Sequence, residues 1–329
     1  MGTKMGRPDY GGYKPFSQQT SLFAEKLPMH SMDFEEKVET LATDKLRNVK
    51  PDLAEMRDLN RFAEEVQTDI GQRLSVKEKH LFGSSIKNTM VDSSHRKDAD
   101  ILVVLDSDNH ADLLRGKNGA QLSLIKIKES LERNPRYKGA EIKIDGSAVV
   151  VKKGGKIVDI VPAFRDPNGR GFLIPENRNG GRWIRTDPRK SKRILNIEDK
   201  KHYGQVRPLV QLAKDWNERN GKKLKSYHIE VMVIQHFMNM DPNEKPSLHA
   251  NADEFFYRLP EYVSSSQIRD PATDEKLSGY LSSKDKELAI KSAMKTRDNI
   301  EKARAAKEAG DGDKSLYYYR KVFYDEEGK

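Results

Sequence analysis

The chain has 329 residues, of which 34% are charged, with a formal net charge of +9 and no cysteine. The absence of cysteine excludes disulfides, thiolate catalysis and zinc sites built on Cys. The length allows one large or two ordinary domains, and the basic excess favours anionic partners such as nucleotides, nucleic acid or an acidic surface.

The N-terminal segment "MGTKMGRPDYGGYKPFSQQTS" is rich in Gly, Pro and polar residues and has no hydrophobic period. We interpret residues 1–30 as a flexible arm. No stretch approaches the run of about 18 apolar residues that spans a membrane, and the first residues lack the apolar core of a secretory signal. We therefore expect a cytoplasmic protein without a membrane anchor.

A helical pattern begins near Asp33 and strengthens after Pro51. There "PDLAEMRDLNRFAEEVQTDIGQRL" repeats apolar residues at three- and four-residue spacing. The pattern predicts a long helix near the start of a mixed α/β unit, which we assign to residues 31–195.

Three apolar runs predict strands. They are "ILVVL" (101–105), "GSAVVVK" (146–152) and "KIVDIVPAF" (156–164). The "KGG" between the last two is typical of a hairpin turn. Between the first and the second run, "AQLSLIKIKESLERN" predicts a helix.

From about Glu198 onward the pattern is almost entirely helical, which predicts a helical C-terminal lobe over residues 196–329. We expect helices near 199–219, 226–239, 252–266, 283–309 and 313–325. Between the two halves, "GGRWIRTDPRKSKR" (180–193) is basic and has no sustained apolar period. We favour a solvated linker there over a basic loop that covers an anionic ligand.

Two aspartates with one residue between them stand at the start of the first apolar strand. Successive strand residues point to opposite faces, so Asp98 and Asp100 share one face. Such a pair often only caps a loop, but Asp159 adds a third carboxylate inside an apolar run, where burying an unpaired charge is costly. If the two strands are neighbours, the carboxylates converge into the acidic site of a two-metal phosphoryl-transfer enzyme, with two Mg²⁺ ions.

The turn "FGSS" before the aspartates adds a complementary feature. Gly83 allows the backbone to approach a ligand closely. A helix that begins near Ser84 would point unpaired N–H groups at phosphate oxygens. The turn and the carboxylates together are more specific for phosphate chemistry than either is alone.

This arrangement resembles the polymerase-beta-like nucleotidyltransferase superfamily. The matching motif is Gly83-Ser84, then Thr89, then Asp98-Ala99-Asp100 before "ILVVL", and later Asp159 within "VDIVPAF". Within the superfamily the chain is similar to the bacterial enzymes that resemble cyclic-GMP-AMP synthase, the CD-NTases, which are related to oligoadenylate synthases. The resemblance covers most of the chain from about residue 50 and implies a two-lobed α+β fold: a nucleotidyltransferase core with a mixed sheet, and a helical C-terminal lobe. Asn88 stands where relatives often have Gly, and Asn tolerates a left-handed backbone.

In the helical half, "RPLVQLAKDWNERNGKKLKSYHIEVMVIQHF" is similar to two paired helices of this family. The match implies that Lys214 and Ser226 bind the triphosphate and that Tyr227 stacks on a base. A lysine suits phosphate as a point charge, and Ser226 would lie at a helix N-terminus. Plainer readings stay open: Lys214 could pair with Glu218, Ser226 could be an ordinary N-cap, and Tyr227 could belong to the core.

The resemblance implies a bacterial synthase that joins NTPs such as ATP into a cyclic di- or trinucleotide and releases pyrophosphate. Its cofactor would be Mg²⁺, with Mn²⁺ as an alternative, and its product would report phage infection to an effector protein in CBASS defence. CBASS regulatory or conjugation proteins and a nucleic-acid activator are further partners it suggests. Three other functions stay open: template-independent RNA tailing, linear synthesis of the oligoadenylate type, and a catalytically silent nucleotide sensor.

Overall fold

The computed structural model describes residues 33–92, 97–169, 171–176, 181–265 and 267–324. The flexible arm predicted for residues 1–30 lies outside the described residues. The helices and strands are, in chain order, α1 (Phe34–Val49), α2 (Leu53–Arg73), β1 (Val76–Phe82), α3 (Gly83–Lys87), β2 (Asp98–Leu105), α4 (Ala111–Arg115), α5 (Gly119–Glu132), β3 (Glu141–Asp145), β4 (Ala148–Lys153), β5 (Lys156–Arg165), β6 (Phe172–Glu176), β7 (Arg182–Thr186), α6 (Pro188–Lys201), α7 (Val206–Arg219), α8 (Ser226–Met238), α9 (Leu248–Tyr257), α10 (Leu259–Ser264), α11 (Ser283–Glu308) and α12 (Gly312–Phe323).

A parallel pair of strands, β2 and β5, forms the centre of the sheet, with Asp98 beside Ile157 at its start. Both strands are largely buried, which explains why their sequences are nearly continuous apolar runs. The strand order is β1-β2-β5-β4-β3, while β6 extends β5 and pairs with β7. The strands predicted at 101–105 and 156–164 are therefore found, and the predicted hairpin joins β4 to β5.

The sequence did not predict β1, β3, β6 or β7. β1 and β3 are the ends of the main strand order, and exposed residues recur along both. The linker expected over 180–193 is wrong, because Arg182–Thr186 pairs with β6 and α6 begins at Pro188. The arginines of "RWIRT" stay exposed while Trp183 and Ile184 are half-buried, so a short edge strand looked like a charge run.

The two faces of the sheet have different roles. On one face, Ile101 belongs to a buried cluster that α2 and α5 cover. On the other face, Leu102 belongs to a smaller cluster with residues of β4, β5 and β6. Because side chains alternate along a strand, Asp98, Asp100 and Asp159 belong to this second face.

The helices after the sheet pack into a second hydrophobic core, and α1 is part of it. α1 contacts α7, α9 and α12, and its buried residues share their cluster. The first described helix therefore packs with helices that follow the sheet in the chain. No helix in the described ranges combines the length and the apolar character that crossing a membrane requires.

Two predicted helices are each split in the structure. The pattern at 199–219 covers the end of α6 and all of α7, because Gly204 has a φ of +79° that separates them. The pattern at 252–266 covers most of α9 and then α10, which begins again with Pro260 in its first turn. The helices expected near 226–239, 283–309 and 313–325 are found as α8, α11 and α12.

Candidate active site

A cavity of about 340 Å³ is lined by residues of both the sheet and the helical half. Seven of the residues that the sequence singled out line it: Gly83, Ser84, Asp98, Asp100, Lys214, Ser226 and Tyr227. Asp159 is not among its lining residues. The structure thus gathers side chains from β2, α3, α7 and α8 around one space.

Asp159 lies directly beside Asp100 in the neighbouring parallel strand. Equivalent residues of paired strands are about 4.8 Å apart and project to the same face. Asp98, Asp100 and Asp159 are all half-buried. Among the residues that the structure describes, no three acidic or histidine side chains already form a metal cage, and the Asp100 carboxylate lies against the backbone of Gly83. The strand pairing therefore brings the three aspartates together without a preformed ion site.

The turn before the aspartates requires a glycine. Gly83 has a φ of +78°, and a Cβ at this position would overlap Oδ2 of Asp100. Asn88 ends the same short helix, α3, in the left-handed conformation expected from its sequence position, with a φ of +56°. The amide of Thr89 then donates to the carbonyl oxygen of Ser84 at 3.1 Å. The backbone turn and the acidic strand are thus in direct contact.

Lys214 projects from α7 to the wall of the cavity. Its ammonium donates to the carbonyl oxygen and to Oγ1 of Thr89, both at 3.1 Å, and lies 3.8 Å from Oε2 of Glu230. Glu218, the partner that helical spacing suggested, pairs with Lys222 at 2.6 Å. Burial lowers the pKa of Lys214, and the charge of Glu230 opposes that shift. The loop after α3 and α8 together hold this ammonium in place.

A second buried lysine at the cavity was not predicted. Lys87 of α3 donates to Oε1 of Glu230 at 2.5 Å and to Oγ of Ser191 at 2.9 Å. Lys87 is 5% exposed and Glu230 is 2% exposed. The signal that could have found this pair is Glu230 itself, because an acid inside the apolar run "HIEVMVIQHF" requires a buried partner. The same reasoning had singled out Asp159.

The start of α8 supplies the remaining predicted residues. The helix begins at Ser226, which is exposed and lines the cavity. The hydroxyl of Tyr227 donates to Oδ1 of Asp270 at 2.9 Å, and its ring centre is 4.8 Å from Nζ of Lys87. Burial and the charge of Asp270 raise the pKa of this hydroxyl. Tyr227 is thus fixed both at its hydroxyl and at its ring, with part of its surface toward the cavity.

Comparison with known proteins agrees with this geometry. Residues 36–197 match the family profile of the Second Messenger Oligonucleotide or Dinucleotide Synthetase (SMODS) domain. A probable cyclic nucleotide synthase of Bacillus cereus is 33% identical over 149 residues, which are 42% of this chain and 44% of that protein. The match therefore spans less than half of the relative's length.

Solved structures resemble most of the chain. Escherichia coli MS115-1 CdnC with ATP has a TM-score of 0.65 and 20% identity, covering 90% of this chain and 98% of that one. CdnC has also been solved in complex with HORMA-deltaN, with a TM-score of 0.63 at 18% identity over 91% of this chain and 99% of that one. The STING-associated CdnE c-di-GMP synthase of Capnocytophaga granulosa has a TM-score of 0.57 and 20% identity, covering 88% and 93%.

The chain therefore has the two-lobed α+β fold of a nucleotidyltransferase, with a mixed-sheet core and a helical C-terminal lobe. Residues 36–197 match the SMODS domain, and the fold of the chain is that of the CD-NTases. The family resemblance found from the sequence motif is confirmed.

Proposed function

We propose that this protein is a bacterial cyclic oligonucleotide synthase, which joins NTPs into a cyclic di- or trinucleotide and releases pyrophosphate. One observation carries the proposal: acidic and basic side chains from different parts of the fold line the same cavity. The sheet contributes Asp98 and Asp100, and the helical half contributes Lys214. Carboxylates suit divalent cations, and a lysine near backbone amides suits a triphosphate. These are the parts that phosphoryl transfer requires.

The donor set fits magnesium, because Asp98, Asp100 and Asp159 offer carboxylate oxygens from one face of the sheet. We assign Asp98 and Asp100 to two Mg²⁺ ions, for which Mn²⁺ is an alternative, and Asp159 to the ion next to the acceptor hydroxyl. Bound ions of this kind lower the pKa of an attacking hydroxyl and stabilise the charge on a leaving pyrophosphate. Asp159 would also accept the proton of that hydroxyl.

The other cavity residues would position the substrates. The hydroxyls of Ser84 and Ser226 and the ammonium of Lys214 can donate to triphosphate oxygens. The absence of a side chain at Gly83 lets the Asp100 carboxylate lie against the turn. The ring of Tyr227 offers an apolar face on which a base can stack, with its orientation fixed by the hydrogen bond to Asp270.

Gly83→Ala is expected to lower the rate of nucleotidyl transfer by about 10- to 100-fold, because the new Cβ would displace the Asp100 carboxylate. Gly139→Ala is a matched control. The two glycines have φ angles of +78° and +79°, so both substitutions bring the same backbone strain, yet Gly139 has no described atom within 4 Å of an added Cβ. Equal losses of activity in the two variants, measured as pyrophosphate release, would contradict a specific role for the turn.

We further propose that the cyclic product is a second messenger of CBASS antiviral defence and that it acts through an effector protein. The complex of CdnC with HORMA-deltaN suggests a regulatory protein as a partner. Conjugation proteins are further candidates, and the net charge of +9 would suit a nucleic-acid activator. These reactions belong in the cytoplasm, where NTPs are available.

Incubation of the purified protein with the four NTPs and Mg²⁺ tests the proposed activity. We expect pyrophosphate and a phosphatase-resistant product without added RNA, because cyclisation leaves no terminal phosphate. A phosphatase-sensitive oligomer would indicate linear synthesis instead. Activity that depends on an RNA end would indicate RNA tailing, and the absence of any product both with and without added DNA or RNA would indicate a nucleotide sensor. EDTA, which removes Mg²⁺, is expected to abolish product formation.

A further inference from the structure

Two buried lysines at the cavity share one buried glutamate. Lys87 lies 2.5 Å from Oε1 of Glu230, and Lys214 lies 3.8 Å from Oε2 of the same carboxylate. Thr89 connects the two halves of the cluster, because its hydroxyl donates to Oε2 at 3.3 Å and accepts from Lys214 at 3.1 Å. The four side chains come from α3, the residue shortly after it, α7 and α8. The cluster therefore joins the sheet side of the cavity to the helical side.

The two lysines have different surroundings. Lys87 donates to Glu230 and to Ser191, and its ammonium also lies against the ring of Tyr227. An ion pair, a hydroxyl group and an aromatic ring thus contact the Lys87 ammonium. Protein groups therefore already bind the Lys87 ammonium.

Lys214 is held less completely by the protein. Its described hydrogen bonds both go to Thr89, and they use two of the three donors of an ammonium. The distance of 3.8 Å to Glu230 is too long for a hydrogen bond but short enough for attraction. Lys87 already neutralises this carboxylate, since its ammonium lies 2.5 Å from Oε1.

We propose that Lys87 is a positioning residue: by pairing with Glu230, it keeps Lys214 available to the triphosphate of the substrate. Without Lys87, a carboxylate that is 2% exposed would lose its closest cation, and in the described part of the chain Lys214 is the other lysine within ion-pair distance. Lys214 would then turn from the cavity to Glu230. The effect of Lys87 on the substrate passes through Glu230 and Lys214. This inference rests on the proposed function, because it assigns a triphosphate to the cavity.

Lys87→Met is expected to weaken phosphate binding by about 10- to 100-fold, the value of one charge-assisted hydrogen bond. KM for ATP should rise more than kcat falls, because the lost contact holds the substrate before and during the reaction. The double variant Lys87→Met/Glu230→Gln removes the competing carboxylate together with its partner. It should restore the affinity to within about threefold of the wild-type value.

The pH profile separates this role from a merely structural one. The charges that act on Lys214 include Glu230 of α8, Lys87 of α3, and Asp98 and Asp100 of β2. Burial and Lys87 lower the pKa of Lys214, while the three acids raise it. A lysine binds phosphate in its protonated form, so affinity is lost as the pH rises through its pKa. In Lys87→Met the Lys214 ammonium is held by Glu230 and no longer binds phosphate, so the alkaline limb of kcat/KM should flatten.

Calorimetric titration of the full chain with inorganic tripolyphosphate tests the inference without turnover. Lys45→Met is a matched control, because Lys45 also pairs with a carboxylate, the half-buried Asp215, which keeps Arg219 as a second cation. This control should bind tripolyphosphate as the wild type does. If Lys87→Met does not fold, the Glu230→Gln variant tests the inference instead. This substitution frees both lysines from the carboxylate, so the affinity for tripolyphosphate should be kept or increased. A tenfold loss of that affinity would overturn the inference.

The outcomes for this inference and for the proposed function are distinct. Equal tripolyphosphate affinity in the wild type and Lys87→Met, or a folded double variant with no recovery, overturns the role of Lys87. A wild-type protein that binds tripolyphosphate but makes no product from NTPs overturns the proposed function alone. A wild-type protein that binds neither tripolyphosphate nor ATP overturns both. Weakened binding in Lys87→Met with recovery in the double variant supports the inference.

Discussion

Asp98→Asn and Asp100→Asn are each expected to reduce nucleotidyl transfer by about 10³-fold while the protein stays folded. Asparagine has nearly the same size as aspartate but lacks the negative charge that holds a divalent cation. Both aspartates are half-buried on one face of β2, and Asp159 lies beside Asp100. Neutralising one member of such a group relieves repulsion, so stability should not fall with activity. Pyrophosphate release from ATP and Mg²⁺ measures the rate, and thermal melting checks the fold.

Asp108→Asn is the control for these two variants. Asp108 follows the same strand, and its side chain is 87% exposed and 3.9 Å from Lys77. An exposed pair of this kind contributes little, so we expect a rate within about twofold of the wild type. An Asp100 variant that kept more than about a tenth of the wild-type rate would remove this residue from the catalytic group.

The parts of the fold that the sequence predicted are those in which burial imposes a simple pattern. The apolar runs at 101–105 and 156–164 predicted the two strands of the central parallel pair, because strands covered on both faces contain few polar residues. β1 was missed because its half-buried positions include Glu78 and His80, and β7 was missed because exposed arginines flank its two apolar residues. Helix breaks were missed where Gly204 or Pro260 interrupts a pattern that continues on both sides. Amphipathic spacing reports which face is buried, and it does not report where the backbone turns.

The same distinction holds for the site. The common face of Asp98 and Asp100 follows from strand alternation alone, but the position of Asp159 beside them depends on which strands pair. The pair of Lys87 and Glu230 was out of reach, since the two residues are 143 positions apart in the chain. Sequence reasoning could have marked Glu230 as a buried acid. It could not have chosen between several lysines as its partner.

The charges around the cavity suggest a division of work between the two halves of the molecule. The sheet presents Asp98, Asp100 and Asp159, which would attract cations. The cluster of Lys87, Thr89, Lys214 and Glu230 contains two lysines and one glutamate. It carries a net positive charge when all three are ionised. In the proposed function, a nucleoside triphosphate with divalent ions would satisfy both sides at once, with the ions toward the sheet and the phosphates toward Lys214.

Asp159→Asn is expected to lower product formation by about 10²-fold while the affinity for ATP with Mg²⁺ stays within about threefold. The physical reason is its place in the sheet: Asp159 is one strand away from Asp100 and is not among the residues that line the cavity. It should therefore serve the acceptor hydroxyl more than the bound donor nucleotide. Calorimetric titration with ATP measures the binding, and pyrophosphate release measures the turnover.

Asp145→Asn is the matched control for this prediction, because Asp145 is an exposed aspartate at the end of β3 in the same sheet. It should change neither binding nor turnover. The prediction separates two roles within one acidic group: Asp98 and Asp100 variants should lose the binding of ATP with Mg²⁺ as well as turnover, and Asp159→Asn should lose turnover alone. If Asp159→Asn instead lost ATP binding to the same degree as the Asp100 variant, the three carboxylates would act as one ion site, and the assignment of Asp159 to the acceptor hydroxyl would be wrong.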